Sequence, residues 1–257
     1  SNCLSVEPLE TDFGRKRTIN QSTCNKDQSC VKGFCPSFVT VEGGQLRKKS
    51  KDKPTPDPLA LGELPLPEVP SLSRGVYPGG YGIVVAGVGG TGVITIGQLL
   101  GMAAHLEGKG IVTQDSAGLA QKGGSTWAHV YIADRQEDIR TTRVSMAAAD
   151  LILGCDPIVS ASKETVQRMR AGRTRVALNG YSTPTAAFVK NGAWQNPAQA
   201  CVSDIGQAIG SDTHPEHLGV FDANAVATQL MGDSIFINPM ILGYAWQRGW
   251  IPLGRES

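Results

Sequence analysis

The sequence has few of the features that place a chain in a membrane or on a nucleic acid. No apolar run approaches the roughly 20 residues that a membrane-spanning helix needs. The 24 basic and 23 acidic residues leave a net charge of only +1, which argues against a general nucleic-acid or membrane-surface role. Residues 1–14 are polar and lack the basic start and apolar middle of a signal peptide. We therefore expect a cytoplasmic protein with no nucleic-acid and no membrane partner.

Histidine is also scarce, since the chain contains only 4. His214 and His217 are the one closely spaced pair, and they lie in a predicted loop. Histidines in such a loop are more often surface residues than metal ligands. The sequence alone therefore predicts no histidine metal site.

The six cysteines fall into two groups. Cys155 and Cys201 stand singly, and we expect them to be small buried residues. The other four crowd into the first 35 residues, where a cytoplasmic chain uses cysteines more often as metal ligands than as disulfides. These candidate ligands are Cys3, Cys24, Cys30 and Cys35. Their spacing lacks the C-x2-C-x2-C run of bacterial ferredoxins, so an iron–sulfur site, a zinc site and unligated thiols all stay open.

Composition divides the chain into three consecutive parts. Residues 1–44 are polar, carry the clustered cysteines and show no regular periodicity. Residues 45–80 form a connector whose basic run and seven prolines favour extended chain. Residues 81–257 alternate between short apolar runs and helical patterns, which predicts one α/β domain.

Apolar runs typical of buried parallel strands recur through this third part. They lie at 82–86, 111–113, 128–132, 148–153, 175–179 and 219–223. Helical patterns lie at 93–106, 163–170 and 224–231. Strand–helix alternation gives a largely parallel sheet with helices on both faces. We therefore predict a three-layer α/β/α fold around an open, mostly parallel sheet.

A glycine motif lies between the first strand and the first helix of this domain. A sharp turn, a close backbone approach to an anion and tight helix packing all favour glycine there. The free amides at the start of the helix then face a negative group such as a phosphate. The candidate ligand-binding residues are Gly87, Gly89, Gly90, Thr91 and Gly92. A tight turn that binds nothing is the alternative. Gly97 and Gly101, on the helix itself, are expected to permit close packing.

A second glycine-rich stretch, residues 116–125, is too short for a crossover helix. Lys122, Gly123, Gly124 and Ser125 are candidates for another anion-facing loop, and a plain surface loop is an equally favoured reading. Asp115 lies 23 positions after Gly92, near the place where dinucleotide-binding folds put the acid that binds ribose. An NAD-binding oxidoreductase domain is therefore a competing hypothesis, in which Asp115 holds a ribose.

Longer runs resemble one enzyme family. Residues 87–101 resemble the opening of the gamma domain of pyruvate and other 2-oxoacid:ferredoxin oxidoreductases. Residues 117–125, Ala-Gly-Leu-Ala-Gln-Lys-Gly-Gly-Ser, look like the long fused indolepyruvate-type members, as do 2–17 and 231–249. The resemblance covers almost the whole chain except the connector and 183–217.

The resemblance implies an enzyme that decarboxylates a 2-oxo acid with thiamine diphosphate and Mg²⁺. Its electrons pass through iron–sulfur clusters to ferredoxin, and its acyl group passes to coenzyme A. Residues 81–257 would be the gamma-type domain, which is implied to bind coenzyme A, and residues 1–44 part of an iron–sulfur segment. No thiamine motif is present, so we expect a piece that works with the remaining domains, is inactive alone and holds little or no cluster.

No catalytic residue is predicted, because the chemistry belongs to the thiamine cofactor. Asp156 and Asn179 follow the fourth and fifth strands at the ligand-binding edge of the sheet, and helix capping is the favoured role for Asp156. Trp246 and Trp250 are expected to form a packing surface for the rest of the enzyme. A structural interaction domain with a large exposed apolar patch is the other alternative.

Overall fold

The computed structural model describes residues 5–24, 42–45, 65–72, 80–116, 124–185 and 187–257. The chain forms two compact units. The first comprises residues 1–65 and 186–193, and the second comprises 66–185 and 194–257. The division into three consecutive parts stays a prediction. Within the described residues, no helix is long and apolar enough to cross a bilayer.

Strands and helices occur in both units. In chain order the strands are β1 (Val6–Thr11), β2 (Gly14–Ile19), β3 (Gly80–Val88), β4 (Gly110–Asp115), β5 (Ser125–Ala133), β6 (Leu151–Gly154), β7 (Arg175–Asn179) and β8 (Leu218–Phe221). The helices are α1 (Val93–Leu106), α2 (Pro157–Ser160), α3 (Lys163–Val166), α4 (Ala187–Lys190), α5 (Ala198–Ile209), α6 (Ala223–Met231) and α7 (Ile237–Gln247). Short 3-10 helices cover Gln136–Asp138, Pro215–His217 and Ser234–Phe236.

The described part of the first unit contains an antiparallel hairpin and the short helix α4. β1 and β2 pair from Val6 opposite Ile19 to Thr11 opposite Gly14. Gly14 has a φ of 85° at the turn, a conformation that glycine adopts without the steric cost of a side chain. This hairpin was not predicted, because residues 1–44 show no regular periodicity in sequence.

The second unit contains a six-stranded sheet in the order β4-β5-β3-β6-β7-β8. Strands β3, β6, β7 and β8 run parallel, whereas β5 is antiparallel to both β3 and β4. The stretch between Asp115 and Ser125 is too short for a crossover helix, so the chain returns in the opposite direction. The predicted mostly parallel sheet is confirmed.

Helices cover both faces of the sheet and give three layers. On one face, Ile83 and Val85 of β3 pack with Ile96 of α1 and Ile241 of α7. On the other face, Val84 of β3 packs in a core with residues of α5. Successive strand side chains point to opposite faces, and β3 is apolar on both, so it needs a helical layer on each side. The predicted α/β/α architecture is confirmed.

Predicted boundaries hold best where the periodic pattern is long. α1 and β7 cover the predicted residues 93–106 and 175–179. The helix predicted at 163–170 is only α3, preceded by the separate turn α2. The strand predicted from 148 begins at Leu151 instead.

Trp250 lies in the core rather than on a docking surface. Its side chain is 4% exposed and packs in the cluster that α1 and α7 share. The indole of Trp246 is partly buried against the same cluster and donates a hydrogen bond to the carbonyl oxygen of Leu253 at 3.1 Å. The expected packing surface for other parts of an enzyme was therefore wrong for Trp250, because the chain after α7 folds back over its own core.

Candidate functional site

The glycine motif forms a compact turn at the carboxyl end of β3. The hydroxyl of Thr91 donates to the carbonyl oxygen of Val88 at 2.8 Å, and the Thr91 amide donates to the same oxygen at 3.3 Å. Gly90 and Gly92 have φ values of 85° and 94°, which disfavour any residue with a Cβ. Two of the predicted glycines are thus required by the backbone alone.

Gly87 serves close packing rather than chain reversal. A Cβ built on Gly87 would lie 2.8 Å from the Cβ of Cys155 and 2.8 Å from Cγ2 of Val93. Real Cβ atoms do not approach other atoms so closely, so the start of α1 sits against β3 and β6 only because residue 87 lacks a side chain. Gly97 plays the same part further along, where a Cβ would lie 3.0 Å from the Cβ of Ala128. The packing role predicted for Gly97 is confirmed.

The first main-chain N–H groups of α1, as in any helix, have no acceptor within the helix. Gly92 is the capping residue, and among the described residues no side chain accepts a hydrogen bond from the first turn. The first turn contains no acidic residue, and Ile96 donates to the Gly92 carbonyl oxygen at 3.2 Å. Main-chain N–H groups at a helix start carry partial positive charge, so this turn is suited to an anion.

Asn238 holds the glycine turn from the opposite side. Its side chain is only 4% exposed, and Nδ2 donates to the carbonyl oxygen of Thr91 at 2.8 Å. Asn238 was not among the residues predicted for the site. A lone amide inside the apolar run Ile235–Leu242 was the available signal, because a buried polar group needs a partner.

The two predicted loops adjoin. The Gly89 amide donates to the carbonyl oxygen of Gly124 at 2.7 Å, and Val88 pairs with Ser125 across the β3–β5 ladder. Thr126 pairs with Gly87, is 2% exposed, and its hydroxyl has no hydrogen-bond partner among the described residues. The structure therefore brings Gly124 and Ser125 to the glycine motif. Lys122 and Gly123 lie outside the described residues.

Asp115 lies farther from the glycine turn than a ribose-binding acid should. In dinucleotide-binding folds that acid ends the strand next to the glycine-loop strand. Here β5 stands between β3 and β4, so two strand spacings, roughly 9–10 Å, separate them. The Oδ1 atom of Asp115 has no hydrogen-bond partner among the described residues and lies 3.6 Å from a Cβ built on Gly97. Burial raises the pKa of this carboxyl. This arrangement argues against the NAD hypothesis.

Asp156 and Asn179 have structural roles. Asp156 caps α2, where Oδ1 accepts from the Val159 amide at 3.1 Å, and Oδ2 accepts from the Thr183 amide at 3.1 Å. Burial raises the pKa of Asp156, and these amides oppose the shift. The predicted capping role is confirmed.

The side chain of Asn179 joins three neighbouring segments. Its Oδ1 accepts from the amides of Tyr181 and Ala223 at 3.1 Å each, and its Nδ2 donates to the Cys155 carbonyl oxygen at 3.2 Å. With both ends of the amide engaged, Asn179 is a connector between strands at this edge of the sheet.

Three of the six cysteines, Cys24, Cys155 and Cys201, lie within the described residues. Cys155 and Cys201 are buried, which confirms the prediction for both. Burial, and then the nearby Asp156 carboxylate, raises the pKa of the Cys155 thiol. Cys24 follows the β1–β2 hairpin, and its amide donates to the Asn20 carbonyl oxygen at 3.2 Å. The other candidate ligands Cys3, Cys30 and Cys35 lie outside the described residues, so the assignment of the four cysteines as metal ligands stays a prediction.

The open sheet, with the glycine turn and uncapped helix at its carboxyl edge, defines an α/β domain of the kind that receives anionic ligands. Comparison with known proteins narrows this class. The family model for pyruvate ferredoxin/flavodoxin oxidoreductase matches residues 82–257. The chain belongs to that family.

Individual relatives agree with this assignment. The chain is 37% identical over 177 residues to indolepyruvate oxidoreductase subunit IorB of Thermococcus kodakarensis, a match that covers 69% of this chain and 82% of the relative. A stretch of 75 residues is 37% identical to the subunit of the same name from Archaeoglobus fulgidus and covers 29% of this chain and 35% of that relative. Among solved structures, pyruvate oxidoreductase subunit PORC from Thermotoga maritima is 19% identical, covers 68% of this chain and 79% of that chain, and has a TM-score of 0.43. The resemblance to a gamma-type domain close to indolepyruvate oxidoreductase is confirmed.

Proposed function

We propose that the chain is a module of a thiamine-dependent 2-oxoacid:ferredoxin oxidoreductase of the indolepyruvate type, and that its glycine turn binds the diphosphate of coenzyme A. Membership of the pyruvate ferredoxin/flavodoxin oxidoreductase family and the likeness to subunit IorB support the enzyme class. The observation that supports coenzyme A as the ligand is the N-terminus of α1, which follows Gly92 and has no side-chain cap. The proposed contacts are those of the glycine motif, together with Lys122 to Ser125.

The chemistry of the turn favours a diphosphate. A diphosphate offers only acceptor oxygens and negative charge, so it needs donors and positive potential. The Thr91 hydroxyl is already used by Val88, and the Gly89 amide is used by Gly124. The amides at the start of α1 are therefore the donors that the proposal assigns to the ligand.

The rest of the reaction takes place on other parts of the proposed enzyme. When bound there, thiamine diphosphate with Mg²⁺ supplies the decarboxylation chemistry, and iron–sulfur clusters carry the electrons to ferredoxin. We assign no general acid, base or nucleophile to this chain. Its role is to hold coenzyme A by main-chain groups. Its proposed partners are the remaining parts of the oxidoreductase and ferredoxin, and its proposed cluster ligands are the N-terminal cysteines.

One observation also supports an interaction role. α1 exposes Leu99, Met102 and Leu106, and their side chains are 50%, 60% and 67% exposed. Residues spaced by three and four positions share one face of a helix, so the three form an apolar stripe. We propose that this stripe packs against another part of the oxidoreductase. Leu99→Lys with Met102→Lys should leave the fold unchanged and weaken co-purification with the remaining parts, and unchanged co-purification contradicts the proposal.

Calorimetric titration of the chain with coenzyme A and, separately, with NADH tests which of the two compounds it binds. Gly90→Ala places a Cβ at a φ of 85° in the turn, whereas Gly232→Ala places one at a φ of 82° after α6. Apart from its chain neighbours, no described residue has an atom within 4 Å of the Cβ at 232. Both variants suffer similar backbone strain, on the order of 1–2 kcal/mol. Only Gly90→Ala should weaken coenzyme A binding.

Other outcomes separate the competing hypotheses. NADH binding that Asp115→Asn weakens would establish the dinucleotide alternative and overturn the proposal. Binding of coenzyme A that Gly90→Ala leaves intact would move the ligand away from the glycine turn. If neither compound binds, the ligand assignment fails, while the family membership stands.

A further inference from the structure

The segment between α5 and β8 and the glycine turn lie at opposite ends of the parallel strands. The turn follows the carboxyl end of β3, whereas this segment precedes the amino end of the parallel strand β8. It has the sequence His214-Pro215-Glu216-His217 and ends in a 3-10 turn, in which the His217 amide donates to the His214 carbonyl oxygen at 3.0 Å. This turn places three potential metal ligands within a stretch of four residues.

The three side chains meet around one carboxylate oxygen. The Oε1 atom of Glu216 lies 3.3 Å from Nδ1 of His214 and 3.6 Å from Nε2 of His217. One donor atom from each of the three residues lies within 4.8 Å of the others. Ligand bonds of about 2.0–2.2 Å in a tetrahedral zinc site put neighbouring donor atoms roughly 3.3–3.6 Å apart. The two nitrogen–oxygen separations are already close to that spacing.

Contacts outside the cluster hold its backbone in place. The Arg248 guanidinium donates to the Glu216 carbonyl oxygen at 3.0 Å, and its Cζ lies 5.0 Å from the centre of the buried Trp250 ring. A Cβ built on Gly172 would lie 3.5 Å from the His214 ring, an ordinary van der Waals distance, so the imidazole lies beside this part of the backbone. The scaffold under the three ligands is thus joined to the core.

We propose that His214, Glu216 and His217 bind a divalent transition metal ion of the zinc type. Two imidazoles and one carboxylate are a donor set that zinc uses with a fourth, open position. The two imidazole rings now stack, with centroids 5.0 Å apart and planes at 14°. Coordination requires the His214 ring to turn out of that stack. Its side chain is 44% exposed, so the movement disturbs little packing.

Ion pairing between Glu216 and the two histidines would bring the same side chains together without a metal. The experiment therefore has to distinguish metal binding from ion pairing. Cobalt(II) is the probe, because its visible absorption reports tetrahedral nitrogen and oxygen ligands. The protein is the full chain without a polyhistidine tag. Cys3, Cys24, Cys30 and Cys35 are replaced by serine, so that thiolates cannot supply the signal.

The expected result is one equivalent of cobalt bound with tetrahedral absorption and displaced by zinc. His214→Ala and Glu216→Gln should each weaken binding by at least about 10–100-fold, the size of loss seen for indirect changes at metal sites. His105→Ala, which alters a separate histidine on α1, is the matched control and should bind as the parent does. Absence of a one-equivalent site in the serine background overturns the proposal. So does binding that His214→Ala and Glu216→Gln leave unchanged.

Discussion

The side chain of Asn238 donates a hydrogen bond to the main-chain carbonyl oxygen of Thr91 at 2.8 Å, across 147 residues of sequence. This bond attaches the first turn of α7 to the glycine turn at the edge of the sheet. Nδ2 also lies 3.7 Å from a Cβ built on Gly92, the residue that begins α1. The shape of the proposed anion site therefore depends on a helix near the other end of the domain.

Replacing Asn238 tests this attachment. Asn238→Ala leaves the Thr91 carbonyl without its partner, and we expect the free energy of unfolding in urea to fall by about 1–3 kcal/mol. Asn238→Asp keeps the size but sets a carboxylate beside the Thr91 carbonyl and near the proposed anion. It should therefore weaken coenzyme A binding more than Asn238→Ala does. Equal affinity of both variants and the parent in calorimetry would mean that the turn keeps its shape without α7.

Gly87 and Gly243 form a matched pair of glycine sites. Gly87→Ala sets a Cβ 2.8 Å from Cys155 and Val93, and overpacking of this kind costs about 1–3 kcal/mol. Gly243 lies on α7, and apart from its chain neighbours and its own helix backbone no atom of the described residues lies within 4 Å of a built Cβ. Gly243→Ala should therefore stabilise by roughly 0.5–1 kcal/mol. Urea denaturation of both variants should give changes of opposite sign. A Gly87→Ala protein as stable as the parent contradicts the close packing of α1 on β3.

His129 should make stability depend on pH. Burial, and then the charges of Arg168 and Arg143, lowers the pKa of this histidine from 6.5 to about 4. As pH falls from 6.5 towards 4, the unfolded chain takes up a proton that the folded chain refuses. Stability is thus present above 6.5 and is lost on acidification, by on the order of 3 kcal/mol over this interval.

His129→Gln is the variant that isolates this effect. Its unfolding free energy should change less between pH 6.5 and 4 than that of the parent, because residue 129 no longer titrates. His105→Gln changes an exposed histidine on α1 and controls for the histidine-to-glutamine substitution itself. The same pH profile for parent and His129→Gln would show that another group causes the acid sensitivity.

Two aspartates that cap helices differ in their burial, so replacing each of them should lower the free energy of unfolding by a different amount. Asp156 accepts from both Val159 and Thr183 in the interior, whereas Asp222 accepts from Ala225 at 2.8 Å on the surface. Asp222→Ala should cost about 1 kcal/mol of unfolding free energy, the usual value of a cap. Asp156→Ala leaves one buried and one partly buried amide without its acceptor and should cost about 2–4 kcal/mol. Equal losses for the two variants in chemical denaturation would contradict the second role of Asp156.

Local patterns were enough to predict several parts of the fold. α1 was predicted over its full length because apolar and small residues recur on nearly every turn, and β7 because its apolar run is short and bounded. The glycine turn was predicted because strand, glycines and helix are consecutive in sequence. The helix predicted at 163–170 proved to be only α3, and α2 was not predicted, since a four-residue turn has too few residues to show a period.

Contacts between segments that are distant along the chain could not be predicted from sequence patterns. The contact of Asn238 with the glycine turn was not predicted, and Trp250 was predicted on a surface but lies in the core. No local sequence pattern around either residue indicates which segment it contacts. The position of β5 between β3 and β4 was also not predicted, although the short connector before it was noticed. That single insertion separates Asp115 from the glycine turn and weakens the NAD hypothesis.

The sequence by itself determined the class of fold, the glycine turn and the family resemblance, because each depends on residues that are neighbours along the chain. Tertiary structure alone decided which strands adjoin, which buried amide supports the turn, and which side chains surround Glu216. Those outcomes depend on packing and hydrogen-bond satisfaction summed over segments far apart in sequence, which no local propensity encodes.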